Sequence, residues 1–173
     1  SGAADALALR AGNRLLGNDD DVAAIEMTLL GAAFEFDSDT TVALTGGEFA
    51  GEFRGLPLPW WQRLHLRAGE HIDIGPSCTG ARCYLCVRGG IAVPPLMGSR
   101  STHAMSGLGG HAGRRLQAGD VLPIGPAPQR EPFRAAIAPE SVRLLYAPGP
   151  IRVTPGPQAG RRRLLDAQGL LPA

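Results

Sequence analysis

The chain has 173 residues, 44% of them apolar, and a formal net charge of +1. That suffices for one domain with a real core and excludes a disordered chain or one drawn to nucleic acid or anionic membrane by general charge. No apolar run approaches the roughly 20 residues that a membrane-spanning helix needs, and no charged end followed by an apolar block opens the chain, so the cytoplasm is the expected location. All 17 basic residues are Arg. Any cationic chemistry therefore belongs to a group that stays charged and does not shuttle protons.

The start predicts a helix. Ser1 or Asp5 can cap it, Ala6 to Leu16 holds good helix formers, and Gly17-Asn18 is a stop signal. Asp19-Asp20-Asp21 reads as a solvated turn opening a short second helix, Val22–Ala24. After Glu26 the period changes. Short apolar runs at Met27–Leu30, Ala33–Phe36, Thr41–Thr45, Phe49–Phe53, Arg63–Leu66, Ile72–Ile74, Arg82–Val87, Val121–Ile124, Phe133–Ala136 and Val142–Ala147 predict strands of a sandwich or closed barrel. With 24 Gly and 15 Pro, tight turns should join them. Trp60-Trp61, after Pro57-Leu58-Pro59, reads as an exposed aromatic corner, either a docking patch or a cap on the barrel's end.

An internal echo is present. Leu66-Arg67-Ala68-Gly69-Glu70 matches Leu116-Gln117-Ala118-Gly119-Asp120. Each reads as a strand end, a Gly that supplies positive φ and an acid that bonds the turn, so the two copies are expected to be equivalent corners. Cys83-x-x-Cys86 invites a metal or redox reading. It lies in a predicted strand, where residues three apart point to opposite faces, so buried thiols are the better expectation, with no metal.

The richest stretch for chemistry is Gly98-Ser99-Arg100-Ser101-Thr102, followed by Gly107-Leu108-Gly109-Gly110-His111-Ala112-Gly113. Hydroxyls, one fixed cation and closely spaced amides suit an anionic ligand, since consecutive N–H groups form a concave nest and Arg grips carboxylate or phosphate. The alternative is a tight loop whose hydroxyls cap its own backbone, with Arg100 in an internal salt bridge. Arg100 and Ser99 are the candidate catalytic residues. Ser101, Thr102, Gly109 and Gly110 are the candidate substrate contacts. His103 and His111 flank them, and neither is expected to be a catalytic base.

Several motifs come in order: Ser1-Gly2-Ala3-Ala4-Asp5, Asn13-Arg14-Leu15-Leu16-Gly17-Asn18, Glu26-Met27-Thr28-Leu29-Leu30-Gly31, Ala43-Leu44-Thr45-Gly46, Gly89-Gly90-Ile91-Ala92-Val93-Pro94, Gly98–Thr102 and Leu116–Asp120. Together they resemble the allophanate hydrolase subunit 2 family, which includes the C-type component of bacterial 5-oxoprolinase and the carboxyltransferase-like part of urea carboxylase. The resemblance implies a mainly β, cyclophilin-like barrel over residues 1–150 with one or two short N-terminal helices. This is the family's N-terminal half without its first strand; residues 151–173 would begin the second half or form a disordered tail. Asp5 falls at the family's Ser-Gly-Ala-x-Asp position, so it either caps the first helix or lies at the rim of the substrate site.

The resemblance further implies a subunit or fragment of an ATP-dependent amidohydrolase. The expected activity is 5-oxoprolinase, cleaving 5-oxoproline to glutamate beside a companion of the allophanate hydrolase subunit 1 type, the B-type component of 5-oxoprolinase. ATP would act at the level of the complex. Two alternatives stand: the carboxyltransferase component of a urea carboxylase system, and a non-catalytic regulator of a kinase-inhibitor-like partner. A chain without Lys cannot carry covalent biotin, which puts the oxoprolinase expectation first.

Overall fold

The structure, a computed structural model, describes residues 2–132, 134–147 and 149–150. The chain divides into two compact units, Ser1–Pro139 and Glu140–Ala173. In chain order the elements are α1 (Ala6–Leu15), β1 (Ile25–Thr28), β2 (Ala33–Glu35), β3 (Thr40–Gly46), β4 (Phe49–Phe53), β5 (Leu56–Pro57), β6 (Arg63–Leu66), β7 (His71–Ser77), β8 (Arg82–Val87) and α2 (Pro139–Leu145).

The strands form two four-stranded antiparallel sheets, β1-β8-β3-β6 and β2-β7-β4-β5. Val42, Leu44, Leu66, Cys83, Leu85 and Val87 of the first share one buried cluster with Phe49, Phe53, Ile72 and Ile74 of the second. The mainly β expectation is met. Alternation does the sorting: on β8, residues 83, 85 and 87 enter this core while 84 and 86 face the other way. That second face is covered by α1. Tyr84 Oη accepts from the Asp5 N–H at 2.7 Å, Thr45 Oγ1 donates to the Ala8 carbonyl at 2.8 Å, and Cys86 Sγ lies 3.9 Å from the Leu9 carbonyl. Cys83 and Cys86 therefore diverge, and burial pushes each thiol up to about 12. Neither is a thiolate at neutral pH.

Asp5 caps α1, its carboxylate accepting from the Ala8 N–H at 3.0 Å. Two buried carboxamides anchor the other end. Asn18 Nδ2 donates to the Val87 carbonyl at 2.8 Å and to Asn13 Oδ1 at 3.1 Å, Asn18 Oδ1 accepts from the Gly89 N–H at 2.9 Å, and Asn13 Nδ2 donates to the Val22 carbonyl at 2.8 Å. Arg88 adds a bond to the terminal Leu16 carbonyl at 2.8 Å.

Several expectations are corrected. Val22–Ala24 is not a helix; its carbonyls are taken by tertiary donors, Val22 by Asn13 and Ala23 by the Ile91 N–H at 3.0 Å. Val121–Ile124 contributes only one bridge, Ile91 to Ile124. Phe133 lies outside the described residues, and of Ala135 and Ala136 the first accepts from the Arg63 N–H and the second bridges Gln62. Val142–Ala147 falls largely in α2, because Pro139 and Glu140 are helix-start residues that outweigh the short apolar alternation. Trp61 is buried at 4% exposure and its N–H donates to the Leu44 carbonyl, while Trp60 packs against Phe49. The aromatic corner is thus a core cap. β5 was not expected: its two residues pair with β4 only because Arg54 and Gly55 make a left-handed two-residue turn, with φ of 52° and 75°.

The first copy of the internal echo closes a turn around Glu70. Its carboxylate accepts from Arg54 in a two-pronged pair, both bonds at 2.7 Å, and from the Arg67 N–H at 2.7 Å.

Two outcomes follow from these contacts. A Cβ at Gly12 would stand 2.5 Å from Cys86 Sγ and 3.0 Å from Thr45 Oγ1. Gly12→Ala should therefore destabilise by about 1–3 kcal/mol, although Ala is normally the better helix former by about 1 kcal/mol. Urea unfolding checks this, and Cys86→Ala should restore much of the loss. The second concerns pH. The Arg54 guanidinium and then the Arg67 N–H hold the Glu70 carboxyl at about 2, below its ordinary 4.5. A carboxyl lowered by folding stabilises above its unfolded pKa and loses that contribution as pH falls through the folded one. The urea midpoint of Glu70→Gln should lie below wild type at neutral pH, and the difference should shrink steadily from about pH 4.5 toward pH 2.

Candidate functional site

The chain leaves β8 through Gly89-Gly90, which pack against Gly125 so closely that a Cβ at residue 89 would overlap the Gly125 carbonyl oxygen. The Gly125 N–H donates to the Gly90 carbonyl at 2.9 Å and the Ala92 N–H to the Pro123 carbonyl at 2.8 Å. These two stems carry everything from Val93 to Leu122 as one excursion. The Gly-Ser-Arg-Ser-Thr motif and the glycine-rich run both sit on it.

A first turn closes between Leu96 and Ser99, their N–H groups donating to each other's carbonyls at 2.8 and 3.0 Å. Ser99 Oγ lies 2.8 Å from Ser101 Oγ and accepts from the Ser101 N–H at 3.2 Å. A second turn closes between His103 and Leu108. The glycine run then folds back onto the motif. A Cβ at Gly109 would overlap the Ser101 carbonyl oxygen, and one at Gly110 would lie 2.9 Å from the Thr102 Cβ. Gly110 also has φ 54°, so position 110 requires glycine on two counts. Ser99, Ser101, Thr102, Gly109 and Gly110 thus belong to one folded loop.

Two features make this loop chemically open. The N–H groups of Gly109, Gly110, His111 and Ala112 have no acceptor among the described residues. Arg100 is exposed and forms no hydrogen bond or ion pair with any described residue. The internal salt bridge considered for Arg100 is made instead by Arg114. Arg114 grips Asp120 in a two-pronged pair at 2.7 and 2.8 Å. The Gln117 N–H donates to the same carboxylate at 2.8 Å, and His111 Nε2 stands 3.7 Å away. Arg114 first and the Gln117 N–H second hold the Asp120 carboxyl well below the usual carboxylate range. This clasp repeats Arg54–Glu70–Arg67 in geometry, with Gly119 at φ 89° where Gly69 has 80°. The sequence echo indicated the acid and the turn; nothing in it located the Arg, which comes from a different place in each copy.

Asp5 belongs to a different cluster. Its N–H is held by Tyr84, whose hydroxyl donates to Glu26 Oε2 at 2.8 Å, and Glu26 also accepts from the Ala4 N–H and from Arg82. Two shallow depressions lie elsewhere, one beside Thr41, Arg54 and His65, the other beside Arg14 and Arg130. On the 93–122 loop Ser99, Ser101, Gly109 and Gly110 are half-buried, and Arg100 and Thr102 are exposed. The loop's donors suit an anionic or strongly polarised oxygen.

Comparison with known proteins returns one family and consistent relatives. The family described as carboxyltransferase domain, subdomain A and B, matches residues 1–170. The chain is 40% identical over 157 residues to the C-type component of the 5-oxoprolinase of Escherichia coli, covering 91% of this chain and 49% of that protein. It is 42% identical over 122 residues to the urea amidolyase of Lachancea kluyveri, covering 70% of this chain and 7% of that one. The crystal structure of the K. lactis urea amidolyase superposes with a TM-score of 0.74 at 35% identity, covering 82% of this chain and 9% of that one. The chain thus spans about half the length of the 5-oxoprolinase component and a small part of the amidolyases.

Proposed function

Starting from the fact that this chain belongs to the carboxyltransferase subdomain A and B family, we propose that it works as part of a multi-subunit amidohydrolase of the 5-oxoprolinase kind. The observation that carries the reading is one folded loop that holds both four consecutive amides, Gly109 to Ala112, and the exposed Arg100, none of which has a partner among the described residues. 5-Oxoproline carries a carboxylate and a ring amide whose oxygen gains charge as the carbonyl carbon is attacked. In this proposal Arg100 holds an anionic oxygen, the Gly109 and Gly110 amides direct it, and Ser99, Ser101 and Thr102 supply hydroxyl contacts. Asp5 enters through the helix it caps. ATP supplies the phosphoryl group that activates the amide at the level of the assembly, beside a B-type companion in the cytoplasm. The 40% identity to a 5-oxoprolinase component, over 91% of this chain, supports the choice.

A second reading is favoured by the urea amidolyase likeness: the carboxyltransferase component of a urea-carboxylating system. The same donors would then face a carboxyl group in transfer. An assembly that turns over urea with bicarbonate and leaves 5-oxoproline untouched selects this reading.

Arg100→Ala, in the assembled complex, should lower 5-oxoproline turnover on the order of a hundredfold. Its melting temperature should match wild type, because the side chain has no described partner to lose. Retained turnover removes Arg100 from the site. A fall in melting temperature makes it structural.

A further inference from the structure

The loop that carries the candidate site also exposes large apolar side chains that the proposed chemistry does not use. Leu96, Met97, Met105, Leu108 and Val121 are exposed at 42%, 96%, 96%, 48% and 80%. Met97 is the most telling. It has φ 50° and precedes Gly98 at φ 75°, in the two-residue turn between Leu96 and Ser99. Such a turn favours Asn or Asp at the first central position, because a left-handed backbone crowds Cβ and a short polar side chain offsets the cost locally. Methionine offers no such offset and is not buried. Residues that break a local rule with no return inside the chain are expected where function requires them.

Charge adds a second, independent observation. No Asp or Glu occurs between Asp73 and Asp120, and Asp120 is taken by Arg114. Arg100 and Arg115 are exposed on the same excursion. Its surface is therefore apolar and cationic. Met and Arg are enriched in protein interfaces, and Asp and Glu are depleted from them. A second copy of this loop would set like charges against each other, so self-association is disfavoured.

We propose that Met97, Met105 and Arg115 dock a different chain, the companion of the assembly, in an apolar recess rimmed by carboxylates. This rests on the reading of the chain as part of a multi-subunit enzyme and adds the surface and its chemistry. Arg100 stays with the substrate.

The test is calorimetric titration with the B-type 5-oxoprolinase chain of the same genome at low and high salt. Met97→Asp and Met105→Asp should each weaken binding at least tenfold. Arg115→Glu should weaken it and flatten its salt dependence. Leu56→Asp, at a residue 68% exposed on the β4–β5 hairpin, should leave it unchanged. Met97→Asn separates docking from folding: its melting temperature should hold or rise while binding falls. If the companion binds wild type and every variant alike, the docking surface is wrong and the multi-subunit reading stands. If it does not bind wild type, both fall. If wild type dimerises by itself and Met97→Asp abolishes that, the surface serves self-association and the proposal is overturned.

Discussion

Two buried side-chain amides hold this domain in register. Asn13 and Asn18 are buried at 0% and 2% exposure, and their amides are spent on each other and on the backbone at Val22, Val87 and Gly89. A buried polar group left without a partner costs about 1–3 kcal/mol. The end of α1, the end of β8 and the strand entry at Val22 are therefore fixed together, since moving any one orphans the others' donors or acceptors. Apolar packing alone would let α1 slide on the sheet. The carboxamides give it one position.

That junction reaches the candidate site through the backbone. Asn18 holds Gly89, Gly89-Gly90 lie against Gly125, and those stems open into the Val93–Leu122 excursion. Within the excursion the two arginines divide their tasks by partner. Arg114 is consumed by Asp120 and keeps the loop closed. Arg100 is exposed and has no partner among the described residues. The amides of Gly109 to Ala112 are left open because the glycine backbone turns left-handed there and folds onto Ser101 and Thr102 rather than pairing in a ladder. A loop with no sheet partner can present successive N–H groups in one direction, as a strand cannot.

Much of this was legible in the chain itself. Period-2 alternation and turn residues indicated β3, β4, β6 and β8 to within a residue or so, and helix formers bounded by Asp5 and Gly17 indicated α1. The strand argument also separated Cys83 from Cys86, because side-chain direction in a strand is a local property. The echo at Glu70 and Asp120 was read correctly as a bonded turn for the same reason: the acid, the glycine and the returning N–H lie within four residues.

What the sequence could not decide was everything that depends on which groups meet across the fold. Val22–Ala24 had helix-start acids, yet Asn13 and Ile91 took the carbonyls a helix would have used. Trp61 looked exposed beside its prolines, yet its backbone N–H donates to the Leu44 carbonyl and the residue is buried. An internal salt bridge was an open alternative for Arg100, and only the folded loop showed that Arg114 takes Asp120 while Arg100 has no partner among the described residues. Local geometry is written in spacing and turn chemistry. The partner that satisfies a charge or a buried amide is set by chain closure over long separations, and no short pattern encodes it.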